Sequence, residues 1–302
     1  MTSQAKRTVV ALGSFDGLHK GHMAVLDSAA RLARQGLEGV VLLFDVHPDS
    51  LLLGETPRQL LQNDKRDEIL NSLGIKSAVI PFAQIYNMPC EAFFKEILID
   101  KLHAHAVCCG WNYRFGKGGT GTSETLNNLC GEYGIDLAVS GSVDYEGEPI
   151  SSTRIRSAVA EGEIIRANRM LGRPFSYKYT VVSGDRRGRL IGAPTINQHF
   201  DPGFVVPKFG VYASTATVEG KEYIGVTNIG FRPTFASDDL RSETCILDFS
   251  ADVYGRDIEV KLLDYLRAER RFDSLELLGN QIRLDAARAR EIFSLRGENG
   301  CV

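Results

Sequence analysis

Short apolar runs alternate with segments of helical periodicity through roughly the first 170 residues; strand after strand then follows. The runs at 8–12, 39–44, 77–80, 106–109 and 137–139 read as buried strands. Between them, Leu26, Ala30 and Ala33 recur at helical spacing in 23–34, with Gly36 placed to end that helix. Residues 64–73 form a polar-faced helix closed by Gly74. Phe93, Phe94, Ile97 and Leu98 mark a helix over 90–102. Ser123 is placed to cap another, running to about Tyr133. Regular alternation of strand and helix predicts an α/β domain, a parallel sheet covered by helices on both faces.

A last helical stretch, 161–171, ends in Gly172-Arg-Pro-Phe175, and there the pattern changes. We place the domains at 1–172 and 176–302. Candidate strands at 177–183, 211–218, 223–229, 243–249 and 258–266 suit a small antiparallel β-barrel, since closure removes exposed edges. Glu219-Gly220 suits a hairpin turn. Asp273-Ser-Leu-Glu276 reads as a capping box opening a terminal helix, with Leu275, Leu278, Ile282 and Ala289 facing inward.

Composition narrows the class without changing the fold. The 302 residues are 43% hydrophobic and 24% charged with net charge −3, so neither nucleic acid nor a membrane is an expected partner. No run reaches the ~20 apolar residues of a membrane span, and the N-terminus lacks a signal-peptide core. Cys90, Cys108, Cys109, Cys130, Cys245 and Cys301 show no C-x-x-C spacing, which points to a reducing cytoplasm. The expected state is a monomer or weak homo-oligomer acting on small molecules.

Candidate chemistry starts at Gly13-Ser-Phe-Asp-Gly-Leu-His-Lys-Gly-His22, between the first strand and the first helix. A glycine-rich turn into a helix points free N–H groups at a phosphate. Gly13 and Gly17 are expected to tighten the turn, and Gly21 to let a ligand approach the helix start. His19 and His22, three apart, share one side and suit charge developing on a phosphate. Half of a metal site is the other reading of two such histidines, but no Cys or carboxylate pattern nearby completes one. With Phe15 and Asp16 included, the string resembles the H-x-G-H signature of the nucleotidyltransferase superfamily, in its FMN adenylyltransferase branch.

His47, in the loop after the second strand, either contacts a nucleotide or is an ordinary loop residue. The fourth strand runs into Gly110-Trp-Asn-Tyr-Arg-Phe-Gly-Lys-Gly-Gly-Thr-Gly121. Its Gly-Lys pair is no P-loop, because Trp111 stands at the first glycine position and Gly118 follows the lysine. The loop, with Asn112 and Arg114, resembles the segment that lines the nucleotide and flavin pocket in FMN adenylyltransferases. Ser151, Ser152 and Thr153 are N-caps on local grounds. The run Ser-Ser-Thr-x-Ile-Arg nevertheless resembles that family's second signature, a mobile clamp on the triphosphate in which Arg156 supplies charge.

In the second half, Gly184, Gly188 and Gly192 punctuate a loop that ends Pro194-Thr195-Ile-Asn197. In extended chain Thr195 and Asn197 face one side, where their oxygens suit Mg²⁺ held with substrate phosphates; a plain turn is the alternative. Together with Gly210-Val-Tyr212, Asn228-Ile-Gly-Phe-Arg-Pro-Thr234 and Glu243-Thr-Cys-Ile-Leu-Asp-Phe249, this resembles the riboflavin kinase family.

Both halves, over about residues 8–290, thus resemble the prokaryotic bifunctional riboflavin kinase/FAD synthetase family. That resemblance implies a Rossmann-like nucleotidyltransferase domain followed by a riboflavin-kinase-like barrel. It implies ATP, riboflavin and FMN as substrates, Mg²⁺ with ATP, and flavins as substrates and products. His19 and His22 would serve adenylyl transfer; Glu243 would be the kinase base, with Asp248 its competitor on the opposite strand face. Three positions depart from the family pattern: Cys245 for His, Ala193 for a large apolar residue, and Val46 where Pro is common. The alternatives are one active half, or a flavin-binding regulatory module without turnover.

Overall fold

Alternate residues of the same strands feed two different cores in the first half of the chain. In this computed structural model, which describes residues 6–52, 54–183, 195–234 and 237–299, contacts divide the chain into units Met1–Ser152 and Thr153–Val302. The first holds strands β1 (Thr8–Leu12), β2 (Glu38–Phe44), β3 (Ile75–Ile80), β4 (Ala104–Gly110) and β5 (Asp136–Ser140). They pair in parallel in the order β3-β2-β1-β4-β5. Val9, Ala11, Val41 and Cys108 pack on one face with Val25, Leu26 and Ala29 of the helix Lys20–Ala33. Val10, Leu12, Leu42 and Cys109 pack on the other with Phe93, Phe94, Leu126 and Leu129. Complete burial of such side chains contributes about 1.5–3 kcal/mol each. Cys108 and Cys109 therefore point to opposite faces, each a free thiol. A short hairpin, β6 (Asp144–Tyr145) with β7 (Glu148–Pro149), closes this unit.

Details of the helices differ from the sequence reading. Thr122, not Ser123, caps Ser123–Tyr133: it accepts from Thr125 N while Thr125 Oγ1 accepts from Thr122 N. The segment 90–102 is a short α-turn, Cys90–Ala92, followed by π-helical Phe93–Lys101 with an i→i+5 bond from Leu102 N to Ile97 O. The stretch read as one helix over 161–171 belongs to two, Ser152–Glu161 and Ile164–Leu171, separated at Gly162 with φ 82°. Apart from Ser152, both fall in the second of the two units, which begins at Thr153.

The second unit is an antiparallel sheet curled into a barrel, with a terminal helix. Its strands are β8 (Phe175–Thr180), β9 (Thr195–His199), β10 (Gly210–Val218), β11 (Lys221–Thr234), β12 (Ser237–Ile246) and β13 (Asp257–Arg267), in the order β8-β13-β10-β11-β12-β9. The two edges meet where Val182 N donates to Asn197 O at 2.8 Å. β9 is a full strand where the sequence suggested the end of a loop, and β12 covers 237–246, not 243–249. Glu243 therefore lies within a strand instead of opening one. The β10–β11 hairpin turns at Glu219 and Gly220, both at positive φ (49° and 79°), which matches the right-handed twist of the strands.

The barrel interior is partly polar. Thr227 Oγ1 bonds Ser214 Oγ and Thr244 Oγ1 at 2.8 Å each, and Tyr177 pairs with Ser242 at 2.6 Å, all fully buried. On the outer face Val211, Ala213, Val226 and Leu263 pack with Ala289 of the helix Leu275–Asn299. That helix is capped by Ser274, whose Oγ accepts from Leu277 N, so Asp273 is not its cap.

Candidate active sites

β1 and β4 are neighbours on either side of the point where strand order reverses, with Leu12 beside Cys109. Open α/β sheets bind ligands there, beyond the carboxyl ends of the strands. The turn from Gly13 and the loop from Gly110 leave these two strand ends. Three residues of the turn have left-handed backbone: Phe15 (φ 50°), Gly17 (77°) and Leu18 (39°). For Phe and Leu that conformation is strained, by about 1–3 kcal/mol each, and both side chains are anchored in the core at 0% exposure. The sequence showed no sign of this strain.

Each glycine has a specific neighbour. Gly17 supplies positive φ and lies against Leu60. Gly13 is not in the left-handed region; a Cβ there would sit 3.2 Å from the Phe15 ring. Gly21 makes room for the His19 ring, 3.2 Å from where its Cβ would lie.

His19 precedes the helix Lys20–Ala33 as its N-cap, with Nδ1 accepting from His22 N at 3.3 Å. Accepting at Nδ1 leaves the hydrogen of the neutral ring on Nε2, a donor held by the helix start. The His19 and His22 rings stack with centroids 3.7 Å apart, and Phe15 lies 5.3 Å from His22. Asp16 Oδ1 accepts from Leu60 N at 3.0 Å, which ties the turn to the loop before the helix Asn63–Ser72. Arg66 is close enough to Asp16 for their charges to interact, while burial pushes its guanidinium below the usual value. Sequence reading missed Arg66, which lies in an ordinary-looking polar helix.

The second signature reaches the first through Ser152, whose Oγ donates to Asp16 O at 3.0 Å. Ser152 thus holds the turn instead of acting as a simple cap. Thr153 is exposed and Arg156 half-buried in the opening turns of Ser152–Glu161, and Ser151 is half-buried just before it. In the 110–121 loop Asn112 and Arg114 are exposed, and Phe115 and Gly121 exchange backbone bonds at 2.9 and 3.1 Å. Gly116 and Gly121 are bare because Cys90 packs against both. His47 Nδ1 accepts from Asp49 N at 3.2 Å, an ordinary turn contact. Val46 N donates to Asp45 Oδ1 at 2.9 Å, a bond the common Pro would lack.

In the second unit, register does what local sequence does in the first. Asn197 on β9 lies opposite Glu243 on β12, and Thr195 lies opposite Cys245. Opposed residues of antiparallel strands share a face, so Thr195, Asn197, Glu243 and Cys245 all lie on one. Asn197 is 3% exposed, and its Oδ1 has no hydrogen-bond partner among the described residues. A buried amide oxygen beside a hydroxyl suits a hard cation such as Mg²⁺. Burial raises the Cys245 thiol above its ordinary value, which keeps it uncharged near neutral pH. Asp248 lies beyond β12, at φ 57°, in a two-bond ion pair with Arg290. Gly184, Gly188, Gly192, Ala193 and Pro194 lie outside the described residues.

A family model for FAD synthetase matches residues 1–154, and one for riboflavin kinase matches residues 171–293. The bifunctional riboflavin kinase/FMN adenylyltransferase of Listeria monocytogenes is 36% identical over 292 residues, 95% of this chain and 92% of its own. This chain belongs to the bifunctional riboflavin kinase/FMN adenylyltransferase family. Its Bacillus subtilis relative is 36% identical over 301 residues (96% and 94%), and the Escherichia coli K12 relative 35% over 292 (95% and 93%). A Streptococcus pneumoniae crystal structure, described as a macrolide-efflux protein, superposes with TM-score 0.87 at 31% identity, covering 95% of each chain. In this family member, no helix among the described residues is long and apolar enough to cross a membrane.

Proposed function

We propose that this chain makes FAD from riboflavin in two ATP-dependent steps. The second unit phosphorylates the primary hydroxyl of riboflavin, and the first transfers AMP from another ATP to FMN with release of pyrophosphate. The observation that carries the reading is the pairing of Glu243 with Asn197 across β9 and β12, in a chain that also stacks His19 on His22 at a helix start.

In the kinase half, Glu243 accepts the proton of the attacking hydroxyl, which is too weakly acidic to react unaided near neutral pH. Thr195 and Asn197 hold Mg²⁺ with ATP; the ion supplies charge neutralisation on the phosphates. Gly184, Gly188, Gly192 and Pro194 contribute to binding that nucleotide. In the adenylyltransferase half, the FMN phosphate attacks the α-phosphorus of ATP. His19 Nε2–H and His22 stabilise charge on that phosphate, helped by N–H groups of the turn at Gly13, Phe15, Asp16, Gly17 and Gly21. Asn112, Arg114, Ser151, Ser152, Thr153 and Arg156 bind nucleotide and flavin, with Arg156 on the departing pyrophosphate. The protein acts on these small molecules in the cytoplasm, as a monomer or weak homo-oligomer.

Purified protein with riboflavin, ATP and Mg²⁺, followed by chromatography, tests the reading. FMN appearing first and FAD second is expected. FMN alone would leave the first unit without this activity, and no product would indicate a flavin-binding module.

A further inference from the structure

The polar row of the second unit has a third member. β11 pairs with β12 so that Asn228 lies opposite Glu243, as Asn197 does on the other side. All three share a face, with neighbouring Cβ atoms about 4.5–5.5 Å apart. Asn228 Nδ2 donates to Glu269 Oε1 at 2.9 Å. Gly230, two residues further along β11, makes this possible, because a Cβ there would overlap the Glu269 carboxylate.

A carboxylate only accepts, so Glu269 fixes the amide with Nδ2 toward itself and Oδ1 away. That Oδ1 is buried and has no hydrogen-bond partner among the described residues. A buried acceptor needs a donor, and Glu243 in its proposed role as a base cannot be one. The unmet acceptor, Asn228 Oδ1, lies one strand away from Glu243, so its donor lies beside the group on which Glu243 acts. A polyol chain supplies adjacent hydroxyls of that kind.

We propose that Asn228 binds substrate in the kinase site, its Oδ1 accepting from the ribityl hydroxyl next to the one whose proton Glu243 takes. Glu269 is the positioning residue that holds the amide. The inference rests on Glu243 as the kinase base and adds what selects the polyol.

The test compares riboflavin with its 4′-deoxy analogue, in which hydrogen replaces the hydroxyl beside the primary one, using the full chain. Asn228→Ala should lower kcat/KM for riboflavin roughly ten- to hundredfold and leave the already poor analogue unchanged. FMN adenylylation by the same preparation normalises the amount of protein, and the unchanged turnover of the analogue reports that the barrel is folded. Equal losses on both substrates, or no loss on riboflavin, would overturn the proposal. Should Asn228→Ala fail to fold, Glu269→Ala is read instead. It should cost riboflavin selectively, with recovery in Glu269→Gln, which still accepts at Oε1; equal losses on both substrates again overturn the proposal. A fully active Glu243→Gln would refute the base alone, since Asn228 would still separate the two substrates.

Discussion

The two units present their reactive side chains by opposite means. In the first, a single ten-residue turn carries both histidines, and strained backbone at Phe15 and Leu18 aims them. In the second, backbone is regular and cross-strand register assembles residues far apart in sequence: Asn197, Asn228 and Glu243. A turn site depends on a few φ angles and the core that holds them. A sheet site depends on pairing along whole strands, where a one-residue slip would turn every member to the other face. Damage should therefore be local and conformational in the first unit and chemical in the second.

The largest expected effect is at Glu243. Glu243→Gln keeps size and removes the basic oxygen, so FMN formation should fall about 10²–10⁴-fold while supplied FMN is still converted to FAD. Near wild-type kinase turnover would remove Glu243 from the chemistry. His22→Ala should cost about 10²–10³ in FAD formation, the usual loss for one donor to developing charge, with FMN accumulating. Parallel loss of both activities in a folded variant would contradict the division between units.

Thr195→Ala or Asn197→Asp should move the Mg²⁺ concentration needed by the kinase at least roughly tenfold, a scale on which even outer partners of a metal site act. An unchanged Mg²⁺ titration in both would exclude them as ligands. Gly17→Ala forces a Cβ toward Leu60 at positive φ and should lower stability by about 1 kcal/mol in thermal unfolding. A neutral result would mean that the turn relaxes freely. The smallest effect concerns thiols. Burial pushes Cys108 to about 12 and Cys109 to about 11, so at pH 8 both should resist alkylation until the protein unfolds.

Legibility followed the same division. The parallel sheet was readable because its inner strands β1, β2 and β4 carry long apolar runs, and the His19–His22 pair because its motif is contiguous. The strain at Phe15 and Leu18 was not, since neither residue type announces positive φ. In the barrel, strands half polar inside, such as β12 with Ser242 and Thr244 buried, lack clean alternation, and its start was misplaced. Asn228 and Glu269 were invisible as a pair because 41 residues separate them and only the fold, with the bare Cα of Gly230, brings them together.

The central claim is that the two reactions run at two separate sites, one centred on His19 and His22 and one on Glu243. The direct measurement mixes two proteins, Glu243→Gln and His22→Ala, with riboflavin, ATP and Mg²⁺. Neither alone should make appreciable FAD. Together they should, with FMN from the second feeding the first. A mixture that makes no FAD, although the first variant converts added FMN and the second releases FMN, would contradict the account.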